Sequence, residues 1–220
     1  MTEKQKRALN IVKSLKAAYP QADCTLTYAS AWQLLAAAIL SAQCTDARVN
    51  LITPALFLRF PSAESTAKAD PEEIASLIRS CGLYRSKTRS ITGSAKMIQE
   101  QFEGRVPDKI EDLIRLPGVG RKIANLILGD YYQVPALVVD THCGRISRRM
   151  GLTGKKDPAG IEKDLEKVIC RDDWIAYGHL MVFHGRSCCM ARNPQCDHCP
   201  VVNDCKTGRL YMKTRSQAPS

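Results

Sequence analysis

One stretch, ALVVD at residues 136–140, is the only run in this 220-residue sequence with the β-branched, apolar character of a strand. A strand with no second run to pair with leaves its backbone donors and acceptors unsatisfied. Helix signals fill the rest. Asp70, Pro71 and Glu73 open DPEEIASLIRSCG as N-cap, first helical position and first-turn acid, with Gly82 as the stop. Asp157 and Pro158 repeat that opening before AGIEKDLEKVIC, and Ser30 caps the mostly apolar SAWQLLAAAILSAQ. TDARVNLITPALFLRF starts afresh at Thr45 or Asp46, and Ser86 is placed to cap KTRSITGSAKMIQEQF, which ends at Gly104. The expected fold class is all-α. The basic tail KTRSQAPS, residues 213–220, is expected to fray.

Charge narrows the function classes. Lys and Arg number 32 against 22 Asp and Glu, a formal net charge of +10, which favours a polyanionic partner such as DNA, RNA or an anionic surface. A plain basic solvated face gives the same sum. The first residues lack the apolar core of a signal peptide, and no stretch approaches the length of a membrane span, so an intracellular, soluble protein is expected. Ten cysteines in a reducing compartment do not read as a disulfide framework. Cys24, Cys44, Cys81, Cys143 and Cys170 are scattered singly and read as small buried hydrophobes, whereas the other five crowd between residues 188 and 205.

The segment LPGVGRKIANLILGDYYQVPALVVDTH, residues 116–142, concentrates chemistry. Helical patterning stops near Leu116 and resumes by Arg121 or Lys122, so PGVG reads as a hairpin between two helices, with glycines where positive φ or close approach is required. A hairpin of this kind presents backbone N–H groups at a helix start, where an anion such as phosphate is favoured. A glycine-rich turn with no ligand has the same spacing.

LPGVGRKIAN resembles the helix-hairpin-helix of the endonuclease III family of DNA glycosylases, and VVDTH falls where that family has its Gly/Pro-rich loop and essential aspartate. LLAAAILSAQCTD and CGLYRSK resemble two further family segments, and the cysteine crowd resembles the family's iron–sulfur loop. The resemblance runs from about residue 8 to about residue 207. It implies two helical domains, a helical barrel at 24–134 containing the hairpin and a discontinuous iron–sulfur domain made of 1–23 and 135–220, with DNA bound in the groove between them. It also implies a bifunctional glycosylase and AP lyase of base excision repair, cytoplasmic and nucleoid-associated in the bacterial manner. Its partner is duplex DNA with a damaged base or abasic site, and a monomer is the default.

By the same resemblance Lys122 is the catalytic amine and Asp140 the essential carboxylate, facing each other across the groove. A lysine attacks C1′ of a nucleoside only as its free amine, a form favoured by a helix N-terminus beside basic residues. Expulsion of the base leaves a Schiff base, from which loss of a C2′ proton breaks the 3′ phosphodiester. Asp140 would stabilise cationic sugar character and assist proton transfer. By residue type alone, Lys122 is a solvated lysine in a first turn and Asp140 an N-cap for THCGRISRRM. Enzymes that act on a base in duplex DNA flip it out and fill the gap. The resemblance gives that filling role to Gln43, the wedge on the opposite strand to Leu83, backbone contacts to Gly118, Val119, Gly120, Arg121 and His142, and a place near the flipped base to Asp46.

In CCMARNPQCDHCPVVNDC, Cys189, Cys196, Cys199 and Cys205 have the spacing C-x6-C-x2-C-x5-C, which resembles the family's [4Fe–4S] loop. Spacing alone also allows a structural zinc site with His198 or His184 as a ligand. Cys188, next to Cys189, is expected to point elsewhere. Adenine glycosylases that act on mismatches would have a glutamate within the segment corresponding to AAAILSAQ and an extra C-terminal domain, and thymine-mismatch relatives would have tyrosine in place of Lys122. A non-catalytic DNA-binding module is the most different alternative. Oxidised pyrimidines of the thymine glycol type are the expected substrates, with Cys44 and Gly144 as positions able to alter the pocket.

Overall fold

The structure, a computed structural model, describes residues 1–216, and among these there is no β-strand. The fold is all-α, as expected. The chain divides into two compact units, Cys24–Val134 and a discontinuous one made of Met1–Asp23 with Pro135–Ser220.

The continuous unit is built around α2 (Ala31–Leu40), which Ser30 caps by accepting from the Gln33 N–H. Trp32, Leu34, Leu35 and every residue from Ala36 to Leu40 are buried, so this helix is apolar on all faces because it is enclosed on all of them. Against it packs α3 (Asp46–Arg59), capped by Thr45, and the chain continues through the short α4 (Ala63–Ala67) and α5 (Pro71–Leu77), capped by Asp70. The α5 helix stops at Leu77, well before Gly82; the Cys81 N–H turns back onto the Ile78 carbonyl (2.8 Å), and Cys81 itself is buried. The next helix, α6 (Tyr84–Gln101), buries Lys87, Thr88, Ile91, Thr92, Ala95 and Ile98 at helical spacing. Its N-cap is Leu83 in the left-handed region (φ 59°), with no side-chain cap, so Ser86 lies inside the first turn and does not cap it. After α7 (Ile110–Leu113) comes the hairpin, then α8 (Arg121–Leu126), which widens into a π-helical turn at Ile127–Tyr131.

The discontinuous unit packs α1 (Glu3–Ala18) with α9 (Thr141–Met150), α10 (Pro158–Glu166) and α11 (Trp174–Ser187). Thr2 and Gln5 close a capping box at the start of α1. Ile11 and Leu15 of α1, Ile146 and Met150 of α9, Leu165 of α10, and Tyr177 and Met181 of α11 form one core. The Tyr177 hydroxyl, fully buried, is satisfied by Ser147 Oγ at 2.8 Å. ALVVD, which lies in no helix, buries Ala136, Leu137 and Val139, the last two in this core, and that burial accounts for its strand-like composition without a sheet. The last helix, α12 (Lys206–Ser216), carries into the segment expected to fray. It is pinned by Tyr211, whose hydroxyl donates to Asp197 Oδ2 (2.9 Å), and by an ion pair between Arg215 and Asp197. The remainder of the expected fray, 217–220, lies outside the described residues. No helix among the described residues is long and apolar enough to cross a membrane.

Candidate functional site

The hairpin is seated on α6. Gly118 has φ +81°, and a Cβ there would stand 2.6 Å from Ser90 Cβ, so glycine is required both by conformation and by space. Ser94 Oγ donates to the Pro117 carbonyl (2.8 Å), and Gly93 lets the Pro117 ring lie on the helix, a Cβ there being 3.1 Å from Pro117 Cγ. Val119 is buried, so what this residue offers a ligand is backbone. At Gly120 the requirement is not conformational: its φ is −94°, and a Cβ would meet nothing within 4 Å. Its open surroundings leave room for close approach by a ligand. Arg121 and Lys122, in the first turn of α8, are exposed.

In the other unit Asp140 N-caps α9, with its Oδ1 accepting from the Cys143 N–H at 2.7 Å. The carboxylate is half-buried and held in one direction by that bond. His142 is part-buried, and its Nδ1 lies 3.2 Å from an Arg145 guanidinium nitrogen. A Cβ at Gly185 would run into its ring, so α9 and α11 are in close contact there. Gly144 is buried, its missing Cβ lying 3.2 Å from Ile161 Cδ1, and its smallness is therefore a matter of packing α9 on α10.

Gln43 and Leu83 are brought together by the loops that carry them. Both are exposed, and both have left-handed backbones, φ 52° for Gln43 and 59° for Leu83. Positive φ is unfavourable for residues with a Cβ, and most so for a bulky one such as leucine. The Gly82 Cα faces the Gln43 carbonyl, a Cβ there being 3.7 Å from the oxygen, and the sulfurs of Cys44 and Cys81 are 3.6 Å apart. Asp46, half-buried, accepts from the Thr25 hydroxyl at 2.7 Å.

Cys189, Cys196, Cys199 and Cys205 line one cavity, which contains about 370 Å³ of space free of protein atoms, part of it open to solvent. Cys188 lines the same cavity, contrary to the expectation that it points away; its N–H and that of Cys189 both donate to the His184 carbonyl, at 3.0 and 2.7 Å, which folds the end of α11 over this space. His184 is buried, its Nδ1 paired with the Tyr19 hydroxyl (3.0 Å) and its Nε2 3.8 Å from Cys199 Sγ. Burial, then the charge of Arg145, pushes this imidazole down to about 4, so it is neutral. His184, Cys188 and Cys199 offer ligand atoms within 4.8 Å of one another, whereas His198 is exposed and does not line the cavity.

Residues that the sequence did not single out complete the loop's support. Arg149 donates to the Met190 carbonyl (2.6 Å), the Ala191 carbonyl (2.8 Å) and Cys189 Sγ (3.4 Å), and Arg145, one turn earlier on α9, donates to the Cys189 carbonyl (3.0 Å). The Gly208 N–H donates to Cys205 Sγ at 3.4 Å, and a Cβ at Gly208 would press on the Val202 carbonyl. The sequence signal was an i, i+4 pair of arginines ahead of a cysteine loop, which by itself is indistinguishable from a solvated basic face. Burial first of all raises the thiols of Cys196 and Cys205 and pushes Cys199 up to about 12, so thiolates here require a cation among them. Five thiols lining one cavity, two of them buried, with Arg149 and the Gly208 N–H directed at sulfur and Arg145 bracing the loop's backbone, fit an iron–sulfur cluster.

Comparison with known proteins agrees with this geometry. Residues 36–171 match the HhH-GPD superfamily of base excision DNA repair proteins, and residues 189–205 match the iron-sulfur binding domain of endonuclease III. The chain is similar to the endonuclease III of Synechocystis sp., 46% identical with 95% of this chain and 96% of that protein covered. It is 40% identical to the endonuclease III of Bacillus subtilis, with 87% and 88% covered. A solved structure of a trapped endonuclease III–DNA covalent intermediate, an estranged-adenine complex, superposes with a TM-score of 0.89 at 38% identity, over 96% of this chain and all of that one (100%). The chain belongs to the endonuclease III family within the HhH-GPD superfamily of base excision DNA repair proteins, and is an enzyme, a DNA glycosylase and AP lyase that carries a [4Fe–4S] cluster.

Proposed function

We propose that this enzyme excises oxidised pyrimidines of the thymine glycol type from duplex DNA and then cuts the abasic strand by β-elimination, with Lys122 as nucleophile and Asp140 as its carboxylate partner. The observation that carries the reading is the position of Lys122: an exposed amine in the first turn of the helix that the seated hairpin launches. Its nitrogen attacks C1′, the N-glycosidic bond breaks, and the base departs with a proton. The sugar ring opens to a Schiff base, a C2′ proton is lost, and the 3′ phosphate leaves as the C2′–C3′ double bond forms. Asp140, its Oδ1 held by the Cys143 N–H, presents a fixed negative charge to the cationic sugar and accepts or returns protons.

The remaining roles are those the family resemblance implies, and local geometry supports them. Gly118, Val119, Gly120 and Arg121 receive a backbone phosphate; Val119 contributes backbone only, because its side chain is buried. Gln43 and Leu83 fill and wedge the space left by the flipped nucleotide, a reading supported by the pairing of their exposed loops. His142 contacts the DNA backbone beside Asp140. Asp46 borders the base pocket, with Thr25 fixing its carboxylate. Cys189, Cys196, Cys199 and Cys205 hold the cluster, which when bound supplies iron–thiolate bonds that fold the 188–205 loop. The substrate is duplex DNA with a damaged base or abasic site, the protein acts as a monomer, and its place is the cytoplasm, at the nucleoid. The helical-barrel character of residues 24–134 and the iron–sulfur character of 1–23 with 135–220 belong to the same reading.

Borohydride trapping on a duplex with one thymine glycol tests it. Wild type forms a covalent complex, Lys122→Ala forms none while still binding DNA, and Asp140→Asn forms it more slowly, by about 10²-fold or more for loss of a general acid–base group. A Lys122→Ala protein that still traps, or a lesion panel on which only oxidised purines are cut, would overturn the assignment.

A further inference from the structure

Two thiols lie against each other directly behind the two loop tips. Cys44 Sγ and Cys81 Sγ are 3.6 Å apart, in contact as thiol donor and acceptor. Cys44 follows Gln43 and is half-buried; Cys81 is two residues before Leu83 and is 1% exposed. Neither belongs to the cysteine loop or to the chemistry assigned to Lys122. Their surroundings are cationic. Lys87 Nζ is buried and makes no hydrogen bond among the described residues, and its charge, with that of Arg48, acts on Cys81. Burial first, then the adjoining Cys44, pushes the Cys81 thiol up to about 11, so Cys81 waits as a protonated thiol behind the more accessible Cys44.

We infer that Cys44 and Cys81 are a reversible disulfide site, oxidised by hydroperoxides, that ties the loops of Gln43 and Leu83 together and lowers activity on duplex DNA. The Cys44 sulfur attacks the peroxide oxygen, the O–O bond breaks, and Cys44 becomes a sulfenic acid as the alcohol or water leaves. The Cys81 sulfur then attacks the Cys44 sulfur, the S–OH bond breaks, and hydroxide leaves with the Cys81 proton as water. Two thiols are oxidised and one peroxide is reduced, and a thiol reductant reverses the bond by exchange. A disulfide needs a sulfur separation of about 2.05 Å, so the two sulfurs, now 3.6 Å apart, must approach each other by rotation of their side chains and movement of the loops that carry them. Both loops already hold left-handed residues at their tips, and such backbones have little room to absorb a shift without re-aiming the side chain. The effect on activity rests on the reading of Gln43 and Leu83 as the inserting residues; formation of the bond does not.

The test uses the full-length holoenzyme, treated with hydrogen peroxide at a dose that leaves the visible absorbance of the cluster unchanged, then blocked with iodoacetamide and digested without reduction. Wild type is expected to give a Cys44–Cys81 linked peptide and to lose base-release activity by about tenfold or more, since a misplacement of about 1 Å can cost up to about 10²-fold. Dithiothreitol is expected to restore it, and Cys44→Ser and Cys81→Ser each to keep through the treatment the activity it had before it. No linked peptide, or a linked peptide with activity undiminished, would overturn the inference. Gln43→Ala and Leu83→Ala, assayed fully reduced, separate the two ideas: unimpaired activity there sinks the loop reading and with it the effect on activity, whereas the linked peptide alone decides whether the pair forms.

Discussion

Gly118 and Gly120 are two residues apart and identical in the sequence, yet the structure gives them opposite requirements. Gly118 combines φ +81° with a Cβ position 2.6 Å from Ser90 Cβ, while Gly120 has ordinary φ and open space where a Cβ would stand. Gly118→Ala is therefore expected to destabilise the protein by about 1–3 kcal/mol from backbone strain, with crowding against Ser90 in addition. Gly120→Ala should leave the unfolding midpoint within about 0.5 kcal/mol of wild type and instead weaken DNA binding, because its methyl group occupies the space a phosphate would enter. Urea unfolding of both variants beside a DNA titration checks the pair. Equal loss of stability in the two would show that the open side of Gly120 has been misread. Composition and spacing marked both positions as special, but which was special for folding and which for approach depended on Ser90, some thirty residues away in sequence.

The α9 helix shows how one element serves several tasks. Its N-cap is the proposed catalytic carboxylate, its first turn carries His142, Gly144 packs it on α10, and Arg145 and Arg149 hold the cysteine loop. Arg149→Ala removes donors to Met190, Ala191 and Cys189 Sγ together. The expected result is a protein that folds with its cluster but loses it faster, its visible iron–thiolate band decaying about 10-fold sooner under a chelator, in the range found for removal of outer-shell partners of metal ligands. Cys199→Ser should prevent the band from forming at all; a fully coloured Cys199→Ser protein would instead point to His184 and Cys188 as sufficient partners. At this scale the caps Ser30, Thr45, Asp70, Asp157 and Asp140 were legible, because a cap is decided within four residues of sequence. The start of α6 was not, since Leu83 takes a left-handed N-cap that no propensity favours, and local rules preferred Ser86. Cys188 was misplaced for the same kind of reason: adjacent side chains diverge in a regular helix or strand, but the chain leaves α11 at this residue, with φ −130° and ψ −59°. The roles of Arg145 and Arg149 were illegible because their partners are carbonyls some forty residues away.

For the molecule as a whole, an excess of ten positive charges sets the terms on which duplex DNA is met. Each phosphate neutralised by lysine or arginine releases condensed counterions, so log affinity should fall linearly with log salt, with a slope near −0.9 per phosphate contact. If about six contacts are made, affinity drops on the order of 10³-fold between 50 and 200 mM salt. This charge-driven part does not depend on the lesion. Undamaged duplex and thymine glycol duplex should therefore give parallel lines, displaced by whatever the flipped base, Gln43, Leu83 and the pocket near Asp46 add. Titrations of Lys122→Ala protein on both duplexes, in which no turnover disturbs the equilibrium, measure slope and displacement separately. A slope near zero would remove the phosphate contacts assigned to the hairpin, and parallel lines with no displacement would leave a basic protein that binds duplex without reading damage at all.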